Sequence, residues 1–371
     1  MKETLTARQL RLLRLRAQRL IPSGETHHIP LAQILEAVVG VQAQELPSAW
    51  LSMRVRGPDF TASDVEAARQ EGRSILWTWA MRGTLHLIRA EDAGWMLALF
   101  GPVFIAADRK RFEHLGWDEA RARLAIKLLK EAVTEHSGLT RSEVIQLLLE
   151  NGHPYQGQAP VHLLARAVLE GVLCIGPDRQ KKPTYVLFQD WLGSPPSLPR
   201  SQALARLARR YLEAYGPSNL EDLASWSGLS VSDLRPAWAG LADQIVRIEL
   251  EGQTLWMLES HLSRLDEIDH LGPVVRLLPR YDTVLLGYKN REWVVDPAYA
   301  RRVHPGGGII HPVLLVDGRV LGTWKIERRS SRLVIHLEAF ESLADDLLPG
   351  IEAEVADLGR FLGEEAVLNI V

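Results

Sequence analysis

Three times along the chain, a set of helical stretches gives way to two short strands joined by a tight turn. This repeated order limits the fold more than any other feature of the sequence. In the first set, Thr6 is placed to cap a helix reaching Leu20, in which Leu10, Leu13, Ala17 and Leu20 share one face and Arg8, Arg11, Arg14 and Arg19 lie largely on others. Helices over 31–39 and 47–56 follow, and a shorter one runs from Ser63 to about Gly72. Residues 74–80 and 84–88 then read as strands about the turn Met81-Arg82-Gly83. In the second set Asp118 opens a helix to 135, Thr140 and Glu143 form a capping box for a helix ending at 150, and 159–170 is a third helix. Strands at 172–176 and 183–189 flank the basic turn 177–182. Past the proline-rich linker 194–199 the order returns. It gives a helix over 201–215, one capped by Ser218 and ending at Trp226, and one capped by Ser230 with Pro236 inside it; strands 244–250 and 253–259 flank Glu251-Gly252.

The last hundred residues read differently. Residues 274–286 and 309–335 cluster or alternate β-branched side chains, with Asp317-Gly318 as a hairpin turn between 313–316 and 319–324. They predict a curled antiparallel sheet closed by a helix from about 341 to 362. Helices followed by a hairpin are the order of a winged helix, a helix-turn-helix with a β-ribbon wing. The fold class is therefore α+β: three tandem winged-helix motifs (1–116, 117–193 and 194–262) followed by a β-rich C-terminal domain (263–371).

Tandem helix-turn-helix units suit duplex DNA, since a helix can enter the major groove while amides and a basic wing hold phosphates. Arg179, Lys181 and Lys182 in the second wing fit the latter role. The charge balance adds no general attraction: 43 Lys and Arg face 46 Asp and Glu, so any nucleic-acid contact must come from a local patch. Cys174 is the single cysteine and sits in an apolar run, which excludes an intrachain disulfide or a thiolate cluster and fits a reducing compartment. His27-His28 lacks spaced partners for zinc, Gly306-Gly307-Gly308 is not followed by the Lys-Ser/Thr of a phosphate loop, and there is no Gly-x-Ser-x-Gly elbow. The basic N-terminal helix lacks an apolar signal core, and no run reaches the roughly 18 apolar residues of a membrane span, so a cytoplasmic location and no membrane partner are expected.

One stretch has no evident use in a plain binding protein: Gly40-Val41-Gln42-Ala43-Gln44-Glu45-Leu46-Pro47. Glycine permits a sharp turn and proline suits a helix's first turn, which places the two glutamines at a helix-to-helix corner. Two amides can orient one water without changing protonation state. Two solvated surface glutamines are the other reading of the same residues.

With Met81-Arg82-Gly83-Thr84-Leu85-His86, Leu277-Leu278-Pro279-Arg280-Tyr281-Asp282, Leu286-Gly287-Tyr288-Lys289 and 316–324, this stretch resembles the bacterial winged-helix DNA glycosylases typified by AlkZ. The resemblance spans nearly the whole chain. It implies a catalytic pair at Gln42 and Gln44, no metal and no cofactor, and duplex DNA bearing alkylated purines as partner, bound by a monomer. It implies excision of bulky or cationic N7-alkylguanine, extending to interstrand crosslinks. It also implies a hairpin that wedges into DNA, which we place within 304–324, around the three glycines and His311. Arg82 is read as a phosphate contact or a hydrogen bond across its turn, His86 as a lesion neighbour or a core group, and Tyr281 and Asp282 as cleft lining or sheet support. The competing function is a non-catalytic winged-helix DNA-binding protein or regulator.

Overall fold

The computed structural model describes residues 2–21, 29–57, 59–329 and 332–371, with side chains from Leu5 onward. His27 and His28 lie outside the described residues. In chain order, β1 (Lys2–Thr4) and α1 (Ala7–Ala17) lead to α2 (Leu31–Val38), β2 (Val41–Gln42), α3 (Leu46–Arg54), α4 (Ala62–Gln70) and the strands β3 (Ile75–Trp79) and β4 (Leu85–Arg89). Then come α5 (Ala93–His114), α6 (Glu119–His136), β5 (Leu139–Thr140), α7 (Arg141–Glu150), α8 (Ala159–Leu169), β6 (Leu173–Arg179), β7 (Lys182–Leu187) and α9 (Phe188–Leu192). The remainder is α10 (Arg200–Tyr215), α11 (Leu220–Ser227), α12 (Val231–Ala239), β8 (Ile245–Leu250), β9 (Gln253–Leu258), α13 (Arg264–Asp269), β10 (Val275–Leu278), α14 (Thr283–Leu286) and α15 (Ala300–Val303). It ends with β11 (Val313–Val316), β12 (Arg319–Arg329), β13 (Arg332–Ala339), α16 (Leu348–Leu362) and β14 (Glu365–Ile370).

The chain divides into two compact units, one of residues 1–65 with 205–371 and one of residues 66–204. These units do not follow the four sequence segments, because the first 65 residues pack with the last part of the chain. Leu10, Leu12, Leu13 and Leu15 of α1 are buried in one cluster with Val246, Ile248, Leu255, Val313 and Leu315. Each leucine so buried contributes roughly 1.5–3 kcal/mol. Helix α1 is therefore apolar on more than one face, and its arginines are not a solvated stripe. Arg8 binds Asp317 at 2.9 Å, Arg11 donates to the Asp317 carbonyl, and Arg14 is 4 % exposed with its guanidinium 3.8 Å from the Tyr288 ring centroid.

In the same unit the five-stranded sheet has the order β10-β11-β12-β13-β14. The expected antiparallel sheet is mixed: β14, returning after α16, pairs parallel with β13. Residues 274–286 are not one strand. Tyr281 takes φ 61, and Asp282 then caps α14, which ends the strand at Leu278. The Asp317-Gly318 turn is as expected, with φ of 47 and 79, the pair of left-handed residues that a tight two-residue hairpin needs. Glu251-Gly252 between β8 and β9 does the same with φ of 47 and 78, and β1 adds a parallel strand to β8. Helix α11 is capped by Asn219 in a capping box with Asp222, not by Ser218, whose backbone pairs with Trp256 instead.

In the second unit, Trp117, Ala125, Leu129, Leu163, Val168 and Leu173 form the core. The capping boxes set the helix starts here too: Thr140 with Glu143 opens α7 as expected. The second hairpin is longer than expected, since Gln180 (φ 53) and Lys181 (φ 62) alone make its turn. Helix α5 was not anticipated. It is long and apolar enough to cross a membrane, but half of its apolar window is buried inside the protein, and a Cβ on Gly101 would lie 2.4 Å from the Leu169 carbonyl oxygen of α8. It is a core helix.

Candidate active site

The glutamine stretch begins where α2 ends. Val39 takes a left-handed conformation (φ 58) and Gly40 follows at φ 91, the Gly40 amide donating to the Leu35 carbonyl at 2.8 Å. Glycine bears this at little cost, but a β-branched residue there is strained. Val39 is held in place by burial, at 1 % exposure. Two side chains of α10 take up carbonyls at the end of α2: Arg210 donates to Glu36 at 2.6 Å and the Tyr215 hydroxyl to Val38 at 2.9 Å.

After this reversal the backbone extends into β2. Val41 and Ala43 are fully buried, whereas Gln42 is half-buried and Gln44 exposed. That alternation is the two-residue period of an extended chain, and it turns both glutamines away from the core. Ala43 between them is fully buried. Glu45 then leads into α3, with Pro47 in the first turn as expected. The Glu45 carboxylate meets Arg280 at 2.8 Å, which ties the loop to the segment after β10.

Helix α3 is fixed at its other end by two buried arginines. Arg54, 1 % exposed, bonds Glu354 at 2.9 Å and Asp357 at 2.7 Å on α16 and the Leu277 carbonyl at 3.1 Å. Arg56 makes a two-pronged pair with Asp282 at 2.7 and 2.9 Å. Burial alone would raise the Asp282 carboxyl, but the Arg56 charge, hydrogen bonds from Arg56 and Ser52 and the Val284 amide hold it below the usual range.

Asp282 is thus fully enclosed and is not a DNA contact, and half-buried Tyr281 packs on the core cluster. The Leu286-Gly287-Tyr288-Lys289 segment is support as well. The Gly287 carbonyl accepts from the Tyr211 hydroxyl at 2.7 Å, and Tyr288 donates to the Tyr215 carbonyl at 3.1 Å. Tyr211, Tyr215 and Trp226 stack beneath. Both segments are thus held by buried hydrogen bonds and packing, and the Arg280–Glu45 pair joins the first of them to the residue after Gln44.

The other sequence candidates lie elsewhere. In the second unit, His86 is 2 % exposed, with Nδ1 2.9 Å from the Thr84 carbonyl. Burial, then the charge of Arg82, pushes its pKa down to about 3, so it is a neutral core histidine. Arg82 occupies the left-handed position of its turn (φ 57). Arg179 is ion-paired with Glu143 of the α7 capping box, while Lys181 and Lys182 are exposed. His311 lines a pocket on the five-stranded sheet. Among the described residues no group of His, Cys, Asp or Glu could hold a metal ion, and Cys174 is fully buried. Arg54, Arg56, Glu354 and Asp357 were missed by the sequence reading. Their only signal is two arginines at the end of an otherwise core-facing helix.

Residues 35–361 match the family described as DNA glycosylase AlkZ-like. The chain belongs to the AlkZ-like DNA glycosylase family. A relative from Streptomyces sahachiroi, named an interstrand DNA cross-link repair glycosylase, is 30% identical over 318 residues, covering 80% of this chain and 82% of that one. The solved structure of Streptomyces sahachiroi DNA glycosylase AlkZ superposes with a TM-score of 0.81 at 25% identity, covering 100% of both chains. The AlkZ-like assignment makes this an enzyme of the DNA glycosylase class with DNA as partner, and the mixed helix and strand content agrees with it. It also sets aside the regulator reading.

Proposed function

We propose that this enzyme is a monofunctional glycosylase for bulky or cationic N7-alkylguanine, in which Gln42 and Gln44 jointly position the attacking water. The observation that carries this is the alternation of burial across 41–44, which directs two neutral amides out from a strained and heavily braced backbone. An N7-alkylated guanine is already cationic and departs as a neutral base, so no protein acid is needed. What remains is to place water against the developing oxocarbenium-like sugar and to set carbonyl dipoles toward its charge. Both glutamines suffice for that, and their lack of charge gives less help against an unmodified base. The named activity of the Streptomyces relative supports extending the substrate to interstrand crosslinks. We read the three helix-and-hairpin sets as tandem winged helices of a monomer on duplex DNA, followed by the sheet-bearing C-terminal part, with the 304–324 stretch as the wedge.

The test is single-turnover release of N7-methylguanine from duplex DNA by the wild type, Gln42→Ala, Gln44→Ala and the double variant. Each single change is expected to slow release by about 10²-fold, the scale set by losing one preorganised polar group. DNA affinity should be retained. Unchanged release by the double variant would sink the assignment.

A further inference from the structure

We propose that a cationic pocket on the five-stranded sheet docks a phosphodiester of the DNA backbone. This rests on the glycosylase reading above and adds a contact to it. The pocket encloses about 460 Å³ and is lined by Arg301, Arg302, His311, Lys325, His336 and Glu338 among others. Its floor follows from strand register: Thr323 faces Glu338 and Lys325 faces His336 across β12 and β13, and alternate residues share one side of a sheet. Its wall is α15, which carries Arg301 and Arg302, and the loop that returns to it. There the His311 amide donates to the Val303 carbonyl at 2.9 Å.

Most charges around the pocket are already committed. Arg302 bonds Glu338 at 2.7 Å and lies 4.1 Å from the Phe340 ring centroid. His336 meets Glu327 at 2.7 Å through Nε2 and the Asn369 amide at 2.9 Å through Nδ1, and Glu327 also binds Arg329. Arg301 and Lys325 remain exposed and, among the described residues, have no hydrogen bond or ion pair. Two such cations beside a hollow make an anion site. The approach is open as well. Gly306, Gly307 and Gly308 all take positive φ, and a Cβ on any of them would have no atom within 4 Å, so the turn beside α15 is a thin tip.

The ligand class follows from the rest of the chain. With a net charge of -3 the protein has no general pull on DNA, and Arg8, Arg11, Arg14 and Arg179 are all engaged internally. Affinity then comes from cations left unpaired at the surface, and this pocket gathers two of them at one hollow.

The experiment uses the full chain as wild type, Arg301→Glu, Lys325→Glu and the double variant. Arg328→Glu, on the opposite face of β12, serves as control. Binding to an undamaged duplex is measured between about 50 and 200 mM salt, where each phosphate contact contributes a slope of about −0.9 in log affinity against log salt. The double variant should lose roughly tenfold in affinity and about 1.8 in slope, with Arg301→Lys and the control near wild type. N7-methylguanine release at saturating protein should be unchanged in the Arg328→Glu control. Wild-type affinity and slope in the double variant would overturn the proposal. So would loss of inorganic phosphate binding with duplex binding intact, which would make this a small-anion site. Absence of release by the wild type would instead count against the glycosylase chemistry, since the salt slope is read without excision.

Discussion

Asp282 illustrates how far a side chain's surroundings can depart from its motif. In Leu277-Leu278-Pro279-Arg280-Tyr281-Asp282 it reads equally as a cleft residue or as support, and only the Arg56 pair decides. Arginine and aspartate lie 226 positions apart, so no local spacing announces them. Replacing Arg56 with methionine would leave a buried carboxylate without its counter-charge. It should lower stability by about 3–5 kcal/mol, with Arg56→Met, Asp282→Asn recovering part of the loss. Thermal and urea unfolding of the wild type and these two variants measure this, and a double variant less stable than Arg56→Met would contradict it. Gln42 and Gln44 stand out as candidates from the sequence through the family resemblance of the stretch that carries them. Arg54 and Glu354 do not, since their meaning lies in a tertiary contact.

At the level of elements, local chemistry was a good guide wherever it closed on itself. Capping boxes at Thr140 and two-residue turns at Asp317-Gly318 and Glu251-Gly252 form within a few residues, and the structure keeps them. Elements whose limits depend on distant packing were not readable: the strand that begins at Val275 stops at Leu278, and the sheet expected to be antiparallel gains a parallel β14. The brace under the glutamines is of the second kind. A Cβ on Gly287 would lie 2.6 Å from the Tyr215 ring, and Tyr215 caps the end of α2. Gly287→Ala should therefore cost about 1–3 kcal/mol and also slow N7-methylguanine release, although it touches neither glutamine. A stability loss with unaltered single-turnover rate would separate the brace from catalysis.

For the whole molecule, several groups push stability the same way with pH. Burial lowers His86 to about 3, and His261 and His304 each to about 4, from an ordinary imidazole value of 6.5. The carboxyl of Asp282 is lowered as well. For all four, the unfolded chain takes up protons at a higher pH than the folded one does. Stability is therefore complete above about pH 6.5 and falls as acid is added, first through the histidines and then through Asp282. Melting temperature should decline steadily from pH 7 to pH 4. His86→Leu should flatten the upper part of that decline, where one buried histidine accounts for up to about 1.4 kcal/mol per pH unit. A flat profile in the wild type would show that these groups titrate normally.

The pairing of Arg54 with Glu354 spans 300 residues. On the ribosome, α3 and the two glutamines are made early, but their clamp is made near the end, roughly 15–60 s later at about 5–20 residues per second. A polypeptide released before α16 would carry Gln42 and Gln44 without the clamp that fixes the far end of α3. Under the proposed mechanism, completion of translation becomes a condition for base removal, and truncated products would be poorly equipped to create abasic sites.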